Sequence, residues 1–321
     1  MSNSAPEPAA LTMDKPFPAL TPAERYHFDV FGYVVIENVL SPAEVAQLRE
    51  VVYRLRDECL AQDCLKRHGP KVNYAWIEKY HEKHDFLLNI VGADPIISAY
   101  MTHPRLVGMA EEIIGAQARI VEGNAHINSR RPGELPTPPA AWGLHRGIDI
   151  PFGTHVRQGL QHCSFVKTLT TLVDLGPDDG GTVCIPGSHK IDLPADEIIA
   201  AAAKDPRLVH QMVAPAGSTM LFSETLIHGT GIVRSSNERC IIICGYATRM
   251  FLEWDDGDGN YGADFHRAVP EPMRILFNGY RHWTRGTRYR RLNDARDERQ
   301  FELGTWNERA VVPYDRLAST V

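Results

Sequence analysis

Apolar residues follow a helical pattern in the first third of the chain. After the sequence Ser41-Pro42-Ala43-Glu44, which has the form of a capping box with proline in the first turn, apolar residues recur at helical spacing. They are Val45, Leu48, Val52 and Leu55. Just before them, the segment FGYVVIENV (31–39) predicts a strand. Two further helices are predicted, one opening at Asp94-Pro95 and one running from Pro104 to Ile114 before Gly115.

From about residue 118 the pattern changes to short β-branched stretches bounded by Gly, Pro, Asn or Asp. These predicted strands are ARIVEGNAHINS (118–129), VKTLTTLVDL (166–175), GTVCIPGS (181–188), GSTMLF (217–222) and RCIIICGYA (239–247). A clear helical pattern interrupts them only at ADEIIAAAAK (195–204). Many short strands separated by turn signals favour a mainly β barrel or sandwich with flanking helices.

The chain is expected to form a single domain after a flexible tail. Residues 1–20 are rich in proline and alanine and predict that tail. Within the domain, 21–321, we expect a helical layer over about 21–117, a β core over about 118–250 and a C-terminal extension over 251–321. No linker between these parts predicts a second independent domain.

Composition narrows the classes of function. Hydrophobic residues make up 43% and charged residues 23% of the 321 residues, as in ordinary globular proteins. The net charge of −6 gives no general attraction to nucleic acid or an anionic membrane. Six cysteines without a CxxC pair indicate reduced thiols. With no secretory signal and no apolar run long enough to cross a membrane, we expect a cytoplasmic protein. Its oligomeric state is left open.

Two histidines and one arginine are the main candidates for chemistry. His145 lies in WGLHRGIDIPFGTH (142–155), and His228 lies in LFSETLIHGTG, where a strand ends in polar and glycine residues. Arg239 follows eleven residues later, at the start of an apolar strand. A guanidinium held there suits bidentate binding of a carboxylate. The alternative is that Arg239 pairs with Glu238 or a surface acid.

Three segments together resemble a known family. They are FDVFGYVVIENVLSPAEVAQLRE, DLGPDDGGTVCIPGSHK and LIHGTGIVRSSNERCIIICGYA, within about residues 26–250. The chain resembles the phytanoyl-CoA dioxygenase-like branch of the Fe(II)/2-oxoglutarate oxygenases. The resemblance implies a double-stranded β-helix, or jelly roll, that holds one iron. It further implies that 2-oxoglutarate and O2 are consumed, with succinate formed, while a substrate C–H bond is oxidised.

The same resemblance assigns the site residues. His145 and His228 correspond to the metal histidines, and Arg239 to the arginine that binds the far carboxylate of 2-oxoglutarate, with Arg234 as the alternative. Other residues are assigned more loosely. Trp142, Leu144, Thr230 and Ser235 are candidates for the cosubstrate or substrate side, His189 for a structural role in the PGSHK turn, and His155 and His162 for a loop or the pocket rim.

The chain departs from the family at Gly147. The usual motif is His-x-Asp, in which residues i and i+2 of a strand share a face and bind one metal together with a later histidine. Here the motif reads His145-Arg146-Gly147. Asp149 can replace the missing carboxylate if Gly147 turns the chain. Alternatively the position is open, as in related halogenases that bind chloride there, or the protein only binds a ligand. Glu224, four residues before His228, is a further candidate for the third ligand, although a role as a hydrogen-bond acceptor around the site is favoured for it.

The resulting expectation is a dioxygenase that hydroxylates a small metabolite, with halogenation and non-catalytic binding as alternatives. Two segments are judged less informative. DDGDGNYGADF (255–265) resembles a calcium loop but lacks the required glycine and glutamate. The arginine-rich segment 280–299 predicts either a charged helix or lid beside the barrel, or a site for a phosphate-bearing substrate.

Overall fold

A computed structural model of the protein describes residues 19–251, apart from 138 and 249, together with residues 276–277. The expectations for the remaining residues, including 255–265 and 280–299, lie outside this part. The described helices are α1 (Pro22–Phe31), α2 (Pro42–Ala61), α3 (Pro95–Met101), α4 (Pro104–Ile114), α5 (Ile150–Gly153) and α6 (Ala195–Lys204), with 3-10 turns at Ser188–Lys190 and Pro206–Leu208. The described strands are β1 (Tyr33–Ile36), β2 (Trp76–His81), β3 (His84–Leu88), β4 (Ala118–Asn128), β5 (Ala141–His145), β6 (Thr154–Arg157), β7 (Leu160–Cys163), β8 (Phe165–Thr171), β9 (Val183–Cys184), β10 (His210–Gln211), β11 (Thr219–Ser223), β12 (His228–Gly231) and β13 (Arg239–Thr248).

Two antiparallel sheets form the β core. The larger has seven strands in the order β1-β11-β8-β13-β4-β3-β2, and the smaller has four in the order β10-β9-β12-β5. Strands β6 and β7 form a separate hairpin. Neighbouring strands in both sheets are mostly distant in sequence, as crossing connections between two sheets require. The architecture is a jelly roll with flanking helices, which confirms the expected fold class.

The predicted helices begin and end where their capping residues indicate. In α2 the Ser41 side chain accepts from the Glu44 N–H while Glu44 reaches back to the Ser41 N–H, so that two otherwise unpaired amides are satisfied. Asp94 caps α3 through the N–H of Ile96. Gly115 ends α4 with φ of 72°, a left-handed conformation that favours glycine.

One side of the larger sheet is covered by helices α2, α3 and α4, whose apolar residues join those of the strands in the main core cluster. Two buried tyrosines fix this layer. The Tyr100 hydroxyl of α3 donates to Thr170 Oγ1 at 2.7 Å, and the Tyr246 hydroxyl of β13 donates to the carbonyl of Met101 at 2.7 Å. Because that face is filled, the open face of the larger sheet is the one turned toward the smaller sheet. Among the described helices, none is long and apolar enough to cross a membrane.

Several elements differ from the expectation. The segment expected to be a helical layer also contributes the hairpin β2–β3, which extends the edge of the larger sheet beside β4. Its outer strand carries charged residues, so the apolar pattern was weak. The hairpin β6–β7 was not predicted either. His155 and His162 pair across it with stacked rings 5.2 Å apart, so they lie on strands and outside the cavity lining, contrary to their expected place at a loop or pocket rim.

Glu112 of α4 gives the fold a pH-dependent contact. Its Oε2 accepts the N–H groups of Ala19 and Leu20 at 2.8 and 3.1 Å, and burial raises the pKa of this carboxyl from 4.5 to about 7. Between pH 4.5 and about 7, the Glu112 carboxyl is therefore protonated in the folded state and ionised in the unfolded state. This group therefore favours folding below its unfolded pKa, and the contribution is lost as the pH rises through about 7.

We predict that Glu112→Gln removes this pH dependence, because the amide still accepts the backbone N–H groups but does not ionise. Urea unfolding at pH 5 and pH 8 measures it, with each unit of pKa difference corresponding to about 1.4 kcal/mol. The control is Glu50→Gln at an exposed position of α2, whose free energy of unfolding should change with pH as that of the parent protein does. An equal pH dependence in Glu112→Gln and the parent would contradict the prediction.

Candidate metal and cosubstrate site

The pairing of β5 with β12 brings His145 and His228 together. The two residues are direct partners in the antiparallel register, and their ring centroids are 4.5 Å apart. Each Nδ1 donates to a carbonyl two residues earlier: His145 to Gly143 at 2.7 Å, and His228 to Leu226 at 2.9 Å. Because Nδ1 carries the proton in both rings, each Nε2 keeps a lone pair. This is the form in which imidazoles bind a metal.

His228 is held in its neutral form. It is buried, and burial lowers its pKa well below 6.5, with the nearby His145 and Lys167 adding to the effect. His145 lies at the exposed side of the pair. The structure therefore brings together the two histidines that the sequence assigns to the metal, with one buried and one toward the opening of the cavity.

A cavity of about 440 Å³ lies beside the histidines, between the two sheets. Both histidines and residues from β4, β8, β12 and β13 line it. Part of the wall is apolar, formed by Leu169, Phe222, Ile241 and Ile243. A volume of a few hundred Å³ is typical of pockets for small molecules.

The polar part of the wall was missed by the sequence analysis. Glu122, Asn124 and His126 alternate along β4 and line the cavity, and Asn128 continues the same face. The intervening residues of β4 are small or apolar. The signal was present in the sequence as the period of two in EGNAHIN, which places every second side chain on one face of a strand.

Lys167 of β8 contacts two buried carboxylates, Glu122 in the cavity wall and Glu224 outside the cavity lining. Its Nζ lies 2.9 Å from Glu122 Oε2 and 3.4 Å from Glu224 Oε1. Burial alone would lower the pKa of Lys167, but the two carboxylates outweigh it and raise that pKa above its usual value. The ammonium is therefore charged, and two carboxylates share it.

Arg239 is a buried cation at another part of the cavity. It begins β13, and its Nη1 and Nη2 donate to Asn128 Oδ1 at 2.9 Å and Thr182 Oγ1 at 3.3 Å. Its Nε has no hydrogen-bond partner, and no described carboxylate pairs with the guanidinium. Burial lowers its pKa to about 10, so it remains charged at neutral pH. A buried charge with neutral partners favours binding of an anion from the cavity.

Other predicted residues divide into two groups. Trp142 and Thr230 line the cavity, and the Trp142 ring lies 5.3 Å from the guanidinium of Arg131. Arg234 lies outside the cavity lining and donates to the carbonyls of Ile232 and Pro136. It therefore does not take the place proposed for it as an alternative to Arg239.

Ser235 and Leu144 also lie outside the cavity lining. The Ser235 hydroxyl donates to the carboxylate of Asp179 in a turn, and Leu144 packs against the cluster that includes Ile227. Neither residue therefore takes the place on the cosubstrate or substrate side that the sequence suggested. His189 is fully buried against Gly32, where burial lowers its pKa to about 4.

The carboxylates near the motif are arranged differently from the first expectation. Asp149 is exposed at the start of α5 and lies outside the cavity lining. Glu224 is 1% exposed, and its Oε1 lies 3.7 Å from His228 Nε2, too far for a hydrogen bond. Among the described residues, no three His, Cys, Asp or Glu side chains are gathered closely enough to form a complete metal site. The expected ligand set of two histidines and Asp149 is therefore not assembled.

Arg146, the middle residue of the motif, fixes the end of β5. Its guanidinium donates to four backbone carbonyls at 2.9–3.0 Å, those of Ser188, Ile191, Leu193 and Thr225. The PGSHK turn and the chain after Glu224 are thereby joined to the strand that carries His145. This role has no pattern in the sequence, because its partners are backbone groups of distant segments.

Comparisons with known proteins agree with this architecture. The family described as phytanoyl-CoA dioxygenase (PhyH) matches residues 28–241. The chain is 22% identical to L-proline trans-4-hydroxylase of Streptomyces griseoviridis, covering 71% of this chain and 86% of that protein. It is 24% identical to ectoine dioxygenase of Nocardia farcinica, covering 77% and 82%.

Solved structures share the fold. The structure of HygX from Streptomyces hygroscopicus with nickel and 2-oxoglutarate bound matches with a TM-score of 0.58 and 22% identity, covering 73% of this chain and 90% of that one. EctD from S. alaskensis with bound Fe matches with a TM-score of 0.55 and 19% identity, covering 74% and 79%. The family match extends over most of the jelly roll, from α1 into β13, and includes His145, His228 and Arg239. The chain therefore belongs to the phytanoyl-CoA dioxygenase (PhyH) family of Fe(II)- and 2-oxoglutarate-dependent dioxygenases.

Proposed function

We propose that the protein hydroxylates a C–H bond of a small metabolite, with Fe(II), 2-oxoglutarate and O2. The observation that carries this proposal is the content of one cavity: two imidazoles with free Nε2 atoms and a buried guanidinium that no described carboxylate neutralises. A metal ion satisfies the first feature and a dicarboxylate the second. The residues present therefore fit the two groups that the family uses.

His145 and His228 would hold the iron, and Arg239 would pair with the far carboxylate of 2-oxoglutarate. When bound, iron and 2-oxoglutarate supply the oxidation in which one oxygen atom of O2 enters the substrate and the other enters succinate, with release of CO2. The chain orients these groups. Asn128 and Thr182 fix the plane of the Arg239 guanidinium, so its remaining donors are preorganised for a carboxylate.

The cavity wall defines what else can enter. Thr230 and Trp142 lie beside the histidines and would flank the cosubstrate or substrate. The apolar lining of Leu169, Phe222 and Ile243 limits access of water to the reacting groups. The volume of about 440 Å³ supports a small substrate. Relatives named for L-proline and ectoine make these two compounds the first candidates to test.

Hydroxylation is favoured over halogenation by the surroundings of Gly147. A halide needs room and positive charge where the third protein ligand would be. Any side chain added at Gly147 would overlap Glu224 Oε2, so a buried carboxylate already occupies the space beside the glycine. A chloride ion placed there would be repelled by that carboxylate at close range.

We predict that Arg239→Lys raises the KM for 2-oxoglutarate by about 10- to 100-fold, because lysine keeps the charge but loses the two-donor fork. Succinate formation at increasing 2-oxoglutarate measures this effect. Arg234→Lys is the control, since Arg234 lies outside the cavity lining, and its KM should match that of the parent. Thermal unfolding of Arg239→Lys establishes that the sheets remain paired. An unchanged KM in folded Arg239→Lys would remove Arg239 from the cosubstrate site.

We predict that turnover is independent of chloride. Anaerobic protein is loaded with Fe(II) and 2-oxoglutarate, given L-proline or ectoine, and exposed to O2 with and without chloride. The expected product gains one oxygen atom, as measured by mass spectrometry, and succinate formation is equal in both conditions. A chlorinated product would instead support halogenation. Binding of 2-oxoglutarate without any succinate formation, over a wider set of small amino acids, would support a non-catalytic binding protein.

A further inference from the structure

We propose that Glu224 supplies the metal-binding carboxylate that the motif lacks at Gly147. The metal would then be bound by His145, His228 and Glu224, with the carboxylate delivered from the chain after β11 instead of from β5. This inference rests on the proposed function, because it assumes that the histidine pair binds iron. It concerns which residue completes the set, which the family motif does not provide in this chain.

The first argument is the shared space of Gly147 and Glu224. A Cβ added at Gly147 would overlap Glu224 Oε2 and would lie 2.9 Å from Glu224 Cδ. The carboxyl group of Glu224 therefore occupies the space that the Cβ of an aspartate at residue 147 would fill. The backbone holds this relation, because the N–H groups of Gly147 and Ile148 both donate to the Glu224 carbonyl, at 2.9 and 3.1 Å.

The second argument is the distance to the histidines. Glu224 Oε1 lies 3.7 Å from His228 Nε2. Two atoms that each bind one first-row divalent ion at about 2.0–2.2 Å can be at most about 4.4 Å apart. The observed separation therefore allows both atoms to bind one ion. The three described side chains do not meet at one point, so the proposal requires the Glu224 carboxylate to turn toward the two histidines.

The third argument is the unsatisfied chemistry of Glu224. The side chain is 1% exposed, yet its Oε2 has no hydrogen-bond partner in the described part of the chain, and its Oε1 has only the long contact with the Lys167 ammonium. Its ion pair is with Lys167, at 3.4 Å, whereas Lys167 is closer to Glu122, at 2.9 Å. A buried carboxylate that shares its cation and leaves one oxygen without a partner is costly and favours a further cation nearby. Lys167 keeps Glu122 as its partner if Glu224 turns to a metal.

Asp149, the other candidate, has none of these features. Neither Asp149 nor Glu224 lines the cavity, but Asp149 is exposed and precedes the short helix α5. Its carbonyl accepts the N–H groups of Phe152 and Gly153, which fixes the backbone of this turn. Asp149 and Glu224 thus form a matched pair for the experiment: both carboxylates are near the motif in sequence or space, but only Glu224 is buried beside His228.

The test is Fe(II) binding by the full-length protein, measured anaerobically by equilibrium dialysis, with Co(II) absorption spectra as a second readout of the ligand set. Glu224→Gln should weaken Fe(II) binding by at least about 100-fold, since loss of even an indirect partner costs 10- to 100-fold. Its Co(II) spectrum should change as well. Asp149→Asn should match the parent in both measurements.

The decisive variant exchanges the two positions. Gly147→Asp alone should bind Fe(II) poorly, because the new side chain collides with Glu224. The double variant Gly147→Asp/Glu224→Ala should recover binding to within about tenfold of the parent, since it moves the carboxylate to the usual place of the family. Recovery separates a direct ligand from a residue that only supports the fold. If the double variant does not fold, the Co(II) spectrum of Glu224→Gln decides.

Parent-like Fe(II) affinity and Co(II) spectrum in Glu224→Gln would overturn this inference. His145→Ala and His228→Ala distinguish that result from failure of the proposed function. If both histidine variants lose Fe(II) while Glu224→Gln keeps it, the iron site stands and Glu224 is not a ligand. If neither histidine variant loses Fe(II), the proposed iron site itself is wrong.

Discussion

The register between β5 and β12 controls the candidate site. Because His145 and His228 are direct antiparallel partners, their rings are 4.5 Å apart without any contribution from flexible loops. A shift of one residue would turn one imidazole to the opposite face of the sheet. Arg146 protects this register, since its four hydrogen bonds to backbone carbonyls join the end of β5 to the PGSHK turn and to Thr225.

Besides the strand register, the candidate site depends on charges that are buried between the two sheets. Helices fill the outer face of the larger sheet with apolar side chains, so polar groups from β4, β8 and β13 are confined to the face that meets the smaller sheet. There Lys167 balances two carboxylates incompletely, whereas Arg239 has only neutral partners. These two imbalances have opposite sign, and Lys167, Glu122 and Arg239 line the same cavity. They suit a cation and an anion that bind together.

Local patterns in the sequence predicted most of the fold. The capping box at Ser41 and the terminal Gly115 defined helices because each signal acts on neighbouring backbone groups. His145, His228 and Arg239 were found through the family motif. The sequence did not predict that Glu224 is buried beside Gly147 while Asp149 is exposed, because sequence distance to the motif does not report which distant segment passes beside Gly147. The β2–β3 hairpin was missed for a related reason: its charged outer strand is stabilised by pairing with β3 and not by its own pattern.

Because Gly147 packs closely against Glu224, the residues tolerated at these two positions depend on each other during evolution. While glutamate occupies residue 224 in this rotamer, no side chain fits at residue 147, so substitutions there are tolerated only after residue 224 becomes smaller or turns away. Conversely, a chain with aspartate in the motif has no room for this glutamate. Homologues should therefore show correlated residues at the two sites. A search that reads only the short histidine motif would classify such chains as inactive without considering the second position.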